Sequence, residues 1–275
     1  MSEEDQKIPP PRLRVHVSPV GFEDDRVVLP ILEMKADKVY LIQQGGEGTE
    51  DRAQFCVDHI KERLSETCFI EGKNLIIIAI NIFDLYGGLK VMAEIFGREQ
   101  GQGNDIFFNA SSGGHIVSFA GWLACMLWKG TPYYCSPDNW DYLDNRDTPL
   151  TSGLKEIVPV PTFHIDRPDS ELLHFLDLIV NFLDENKKFK DVTSRNIADL
   201  IAGDDPNLDR SNKTQRKPRE YNKVKWLVTK LIDRRYAEYA DPKQKRIRIT
   251  AEGKQALKVF QTYDLESKVT GPKES

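Results

Sequence analysis

The residue pattern predicts an α/β protein with a mostly parallel, doubly wound sheet, followed by a smaller basic helical module. Three observations predict it. From Leu13 to Ile165 short apolar runs alternate with amphipathic stretches, strand and helix by turns. Two of the runs end in polar, glycine-bearing loops, Ser18 to Arg26 and Asn109 to His115. Charge is unevenly divided: residues 187–260 carry twenty Lys/Arg against ten Asp/Glu, in a chain whose net charge is −5.

Leu13 to Val17 alternates and reads as the first strand, and Asp24 or Asp25 can cap the helix that follows over Val27 to Met34. Lys38 to Ile42 is the second strand. Gln43 to Thr49 is a glycine-bearing loop, and Glu50 to Thr67 is an amphipathic helix with Phe55, Ile60 and Leu64 inward. Leu75 to Ile80 is continuously apolar, which predicts a central strand covered on both faces. Phe83 to Phe96 is the next helix, Ile106 to Phe108 the strand that delivers the second loop, and Ile116 to Trp128 a helix buried on most of its surface. Thr131 to Cys135 follows as a strand. Lys155 to Ile165 is extended, and Pro159 and Pro161 suit it to an edge.

Beyond Pro168 the character changes. Ser170 to Asn186 has apolar residues at helical spacing and reads as a helix connecting two domains. Thr193 can cap a helix over Ser194 to Ala202, residues 203–219 form a polar insert, and Tyr221 to Arg235 is a strong helix with Val224, Leu227, Val228 and Leu231 inward. Tyr236 to Ala240, a turn at Asp241 to Lys245 and the strand Arg246 to Ile249 make a basic hairpin, and a helix closes the module. The expected division is therefore 12–167, a connecting helix at 168–186, and 187–262.

The two polar loops are the candidate chemistry. In doubly wound sheets ligands bind beyond the carboxyl ends of the strands, where both loops would lie. The second also opens a helix, so free backbone N–H groups and the positive end of the helix dipole favour a phosphate or another anion there. Asn109, Ser111 and Ser112 offer hydrogen bonds, and Gly113 and Gly114 admit close approach. A plain strand-to-helix turn capped by Ser111 or Ser112 uses the same residues, and the loop is neither a Walker A nor a full G-x-G-x-x-G.

Composition narrows the class. With 40% hydrophobic and 29% charged residues the chain reads as a soluble globular protein. The acidic, proline-rich start is no secretory signal and no apolar run reaches membrane-span length, so no membrane partner is expected. Cys56, Cys68, Cys125 and Cys135 are widely spaced, which predicts buried thiols in a reducing cytoplasm rather than disulfides or a zinc site. The five histidines have no metal-ligand spacing, and neither metal nor cofactor is called for.

Helix, helix, basic hairpin and closing helix, with the junction Ile249-Thr250-x-x-Gly253-x-x-x-Leu257, resembles a winged helix-turn-helix. That likeness makes Tyr221 to Arg235 the recognition helix and double-stranded DNA the partner. Arg219, Lys223, Thr229 and Lys230 would then hold the backbone, Asn222 would read a base edge, and Lys243, Lys245 and Arg246 on the wing would meet adjacent phosphates. Trp226 lies on the same side, and packing against the connecting helix or a second subunit accounts for it better than DNA does. With Val20-Gly21-Phe22 ending one strand and Asn109-Ala110-Ser111-Ser112-Gly113 ending another, the chain resembles the CARF-domain transcription regulators, the CRISPR-associated Rossmann-fold family. The resemblance implies a homodimer whose shared cleft receives a nucleotide, in several members a cyclic oligoadenylate. Carried over position by position, it implies ligand contacts from Gly21, Phe22, Arg26, Asn109, Ser111, Ser112, Gly113 and His115.

Three functions compete at this level. The first is a ligand-responsive transcription regulator. The second is a ring nuclease that cleaves its cyclic ligand, with Ser111, Ser112, His115 and Arg26 supplying the environment and His115 an acid or base. The third is a protein-binding adaptor, which the basic charge of the second module opposes. No catalytic signature sharper than this is present, so an enzyme is the weaker expectation.

Overall fold

The computed structural model describes residues 11–45, 52–68, 70–140, 148–193, 196–197, 217–241 and 246–261, with the backbone alone for residues 68 and 217–221. The chain divides into two compact units, one reaching to Ile165 and the other spanning Asp166–Gln261.

The first unit holds a six-stranded sheet of β1 (Arg14–Pro19), β2 (Lys38–Gln44), β3 (Leu75–Ile80), β4 (Asp105–Asn109), β5 (Thr131–Ser136) and β8 (Glu156–Pro159), in the order β3-β2-β1-β4-β5-β8. Every pairing is parallel except β5 with β8. The expected extended segment before Ile165 thus closes one edge.

Four helices connect the parallel strands: α1 (Asp25–Glu33), α2 (Gln54–Cys68), α3 (Leu85–Gly101) and α4 (His115–Trp128). Neighbouring strands in register put alternate residues on opposite faces, so Val39 and Leu41 of β2 share one face while Tyr40, Val17 and Phe108 share the other. Val27, Val28 and Ile31 of α1 and Val57, Ile60 and Leu64 of α2 bury the first face in one core. On the second, α4 lies directly on Phe108: a Cβ at Gly121 would stand 1.9 Å from the Phe108 ring, so only glycine admits this helix there. Cys56, Cys125 and Cys135 are buried free thiols, and burial raises Cys125 well above the usual thiol range and pushes Cys135 up to about 11.

One expectation is corrected. Leu75–Ile80 is not central but the outer strand of the sheet, with Ile77 exposed. No residue of β3 is fully buried, so the apolar run marks a strand half-covered beside β2 rather than one covered on both faces. A two-stranded hairpin that the residue pattern did not indicate, β6 (Asn139–Trp140) with β7 (Thr151–Ser152), stands between β5 and β8.

The second unit contains α5 (Ser170–Glu185), β9 (Val192–Thr193), α6 (Lys217–Asp233), β10 (Ala237–Asp241), β11 (Arg246–Ile249) and α7 (Ala251–Gln261). Its three strands form an antiparallel sheet in the order β10-β11-β9. The helix expected as a connector is α5, whose Leu172, Phe175, Leu176 and Ile179 share one core with Val192, Ile197, Val224, Leu231 and Ile247. Thr193 caps as anticipated, its Oγ1 accepting from the Asn196 N–H at 3.2 Å. The rest of that helix, the insert up to residue 216 and the turn at 242–245 lie outside the described residues.

Candidate functional site

In this strand order the chain turns one way from β1 to β2 and the other way from β1 to β4. The crevice between the carboxyl ends of β1 and β4 is therefore the topological switch point. The two loops singled out in the sequence leave from these two strands, and they touch. The Gly21 N–H donates to Ser112 Oγ at 3.3 Å. Gly113 has φ +80° and lies so close to β1 that a Cβ there would stand 2.5 Å from that of Pro19. A side chain at Gly113 would be strained and would push the loops apart.

The eight predicted ligand residues fall into two groups. Asn109, Ser111 and Arg26 are buried and largely occupied with protein. Asn109 Nδ2 donates to the Arg26 carbonyl at 2.8 Å, and its Oδ1 accepts from the Ser111 N–H at 2.9 Å. Ser111 Oγ accepts from the Cys135 N–H, tying the loop to β5. Gly21, Phe22, Ser112, Gly113 and His115 line the junction itself: Phe22 packs against Phe55 with ring centroids 6.3 Å apart, Ser112 is buried, and His115 is exposed as the first residue of α4. Gly114, and neither serine, is the N-cap of α4, so no side chain caps the first N–H groups of the helix, while Ser118 Oγ donates back to the Gly114 carbonyl at 3.2 Å. The loop's serines are spent instead on β5 and on the first loop.

Arg26 is the most constrained of these residues. At 3% exposure its Nε donates to the Cys135 carbonyl at 2.9 Å and its Nη1 to Glu23 Oε1 at 2.8 Å. Its guanidinium carbon stands 5.0 Å from the Tyr134 ring centroid and 5.7 Å from that of Trp140. Its Nη2 is buried without a hydrogen-bond partner. Glu23 has its carboxyl raised by burial, against the lowering effect of Arg26 and, more weakly, of Ser112. The β6–β7 hairpin is held to this loop: the Leu150 N–H donates to the Phe22 carbonyl and the Gly153 N–H to Asp25 Oδ2, each at 2.7 Å. Arg63 fixes the same turn from α2, reaching Asp24 at 3.1 Å and Asp25 at 2.7 Å.

Beneath the crevice, His16 Nδ1 lies 3.0 Å from the Tyr133 hydroxyl, and burial followed by the charge of Arg14 lowers its pKa to about 3, so the ring is neutral. Sequence reasoning missed Glu23, Tyr134, Trp140 and Thr151. Glu23 sat inside a loop already marked, three residues before Arg26, and that spacing was the available signal. Nothing local marked Trp140 or Thr151, which meet the site only through hairpin pairing.

In the second unit Asn222, Thr229 and Arg246 are exposed. Lys223 pairs with Glu171 and Lys230 with Asp169, each at 2.6 Å, and Lys230 also stands 3.8 Å from the Trp226 ring centroid. The Arg219 side chain and residues Lys243 and Lys245 lie outside the description.

The first unit thus defines a class, a doubly wound α/β domain with a polar crevice at its switch point. The family model "HFX_2341_N:-like, N-terminal" matches residues 14–140, from the start of β1 to the end of β6. A protein of Methanocaldococcus jannaschii, MJ1513, is 27% identical over 189 residues, which cover 60% of this chain and 55% of that one. The chain therefore spans about half the length of that relative. Solved structures similar to it include Csm6 of Enterococcus italicus bound to cyclic hexa-2'-fluoro-hexa-dAMP, at TM-score 0.38 and 16% identity, covering 83% of this chain and 57% of that one. Can2 of Sulfobacillus thermosulfidooxidans in complex with cyclic tetra-adenylate matches at 0.37 and 11%, covering 91% and 65%. Protein VC1899 of Vibrio cholerae matches at 0.36 and 14%, covering 92% and 66%. Among the described residues no helix is long and apolar enough to cross a membrane.

Proposed function

We propose that the chain is a nucleotide-responsive DNA-binding regulator. The observation that carries this reading is the contact between the two polar loops at the switch point, Gly21 N–H on Ser112 Oγ and Gly113 against Pro19, beside a helix start with no side-chain cap. A small nucleotide, or another anion, binds in that crevice. The protein acts as a homodimer, a reading supported by α4, which has no Asp, Glu, Lys or Arg yet leaves Phe119 exposed where the helix leaves the crevice. The second unit acts as a winged helix-turn-helix. Its support is the succession of α5, β9, α6 and the β10–β11 hairpin around one core, with Asn222, Thr229 and Arg246 exposed. Lys223 and Lys230, already paired with carboxylates, contribute less to a DNA contact than their charge suggested.

The test is binding of the full chain to genomic DNA fragments at stated salt, with and without cyclic and linear nucleotides. Cyclic tetra-adenylate and cyclic hexa-adenylate are the first probes. The expected result is a discrete palindromic site, half-sites about one helical turn apart, whose affinity responds to one nucleotide. Sequence-indifferent binding that no nucleotide changes defeats the regulator reading.

A second reading, a ring nuclease, is favoured by Glu23, paired with Arg26 at 2.8 Å beside the crevice and with its carboxyl raised by burial. In it a ribose 2′-hydroxyl attacks the adjacent phosphorus and the 5′-oxygen leaves, with Glu23 passing a proton. Prolonged incubation with cyclic tetra-adenylate yields linear products if it holds, and intact substrate removes it.

A further inference from the structure

Two large aromatic side chains stand exposed beside a buried cation at the edge of the crevice, and packing within the chain does not explain them. Trp140 is 51% exposed and Tyr134 37% exposed, and both stand against the same buried guanidinium. Their fixed neighbour is Arg26, held from three sides by the Cys135 carbonyl, Glu23 and the two rings. The fourth side, Nη2, has no protein partner at 3% exposure of the residue. Thr151, directly opposite Trp140 in the hairpin, is buried with its hydroxyl likewise unpartnered. Burying such donors without partners is costly, and a ligand that supplies acceptors removes the cost.

We infer that Trp140 and Tyr134, backed by Arg26, form a stacking subsite for a purine base of the ligand. The inference rests on the reading of the switch-point crevice as a nucleotide site and names what holds the base. An indole presents a bicyclic apolar face that a bicyclic purine covers more fully than a pyrimidine, and the cation on the ring strengthens stacking. The ring nitrogens of a purine are acceptors, the complement of the unpartnered Nη2 and of a threonine hydroxyl. The hairpin bonds at Phe22 and Asp25 fix the platform to the same loop that meets Ser112, so base and phosphate subsites share one frame. No charged group is needed on the base, which leaves the phosphates for the crevice.

The experiment is calorimetric titration of the full chain with cyclic tetra-adenylate and with its uridylate counterpart, for the wild type, W140A, W140F and Y134A, with indole emission followed in parallel. The wild type is expected to prefer the adenylate. W140A should bind it about 5- to 100-fold more weakly and lose the preference over uridylate, and Y134A should lose less. W140F should restore most of the affinity, while the quenching of indole emission on binding disappears with Trp140. Thermal melting identifies a variant that has failed to fold, and W140F then carries the test through its emission change. If W140A binds both ligands as the wild type does, or if W140F keeps the full quenching, the stacking subsite is wrong while the nucleotide site stands. If the wild type binds neither ligand, the nucleotide reading fails and this inference fails with it.

Discussion

The two ends of the parallel sheet each bury a charged side chain, and they treat it oppositely. At the amino end Glu99, fully buried, accepts from Lys38 Nζ at 2.6 Å, from Asn104 Nδ2 at 2.8 Å and from the Tyr40 hydroxyl. Asn104 in turn accepts from the Leu13 N–H at 3.0 Å. Burial by itself would raise this carboxyl, yet the bonds from Lys38, Tyr40 and Asn104 hold it below the usual range. At the carboxyl end Arg26 is as deeply buried but keeps an unpartnered nitrogen, and its companion Glu23 is raised. A network whose members are all satisfied is spent on stability, whereas one with a donor left over is available to a ligand.

Four measurements break or sharpen that contrast, taken from the largest effect to the smallest. Glu99→Ala leaves the Lys38 ammonium and the Tyr40 hydroxyl without their acceptor, and should cost about 3–5 kcal/mol in urea unfolding. Nucleotide affinity at a temperature where the variant stays folded should not change, and a loss of it would erase the division between the two ends. Gly113→Ala comes next: its strained φ and the overlap with Pro19 should cost about 1–3 kcal/mol and weaken nucleotide binding along with it. Unchanged binding would show that the loop contact is structural only.

The third measurement is pH dependence, because the two carboxyls have opposite signs. Glu99 is lowered from 4.5, so below that pH the unfolded chain binds the proton first. The stability it contributes is present above 4.5 and is lost as pH falls through its folded value. Glu23 is raised from 4.5, so the folded chain binds the proton first, and stability declines as pH rises from 4.5 through its folded value. E99Q should flatten the acid side of the profile and E23Q the side above 4.5. Identical profiles for the two variants would contradict the contrast. The smallest effect sets the scale: the exposed pair Lys223–Glu171 of the second unit should couple by only about 0.2–1 kcal/mol in a double-mutant cycle. A larger coupling would mean that the pair is more than surface charge, and would weaken the case for Lys223 as a DNA contact.

Much of this was legible in the residues. Alternation and helical spacing are local properties, so β1, β2, β4, β5, the helices between them and the hairpin after α6 appear where the pattern put them, within a few residues. The two loops were legible for the same reason, since small polar residues directly after an apolar run are a local signal. The uneven charge is a property of composition and needs no structure. Three things were not legible. The apolar run of Leu75–Ile80 could not reveal that β3 stands at the edge, because strand order depends on which crossovers reverse direction. The helix at Ser170–Glu185 displayed an apolar face without naming the core it would enter. Arg26 entered the candidate site through the family resemblance alone, and nothing in its own loop marked that Tyr134, Trp140 and the Cys135 carbonyl would bury it. Periodicity specifies which face of each element is apolar. Which elements meet, and hence which polar groups are satisfied and which are left for a ligand, depends on pairings between residues more than a hundred positions apart, as between Arg26 and Cys135, and those exist only in the folded chain.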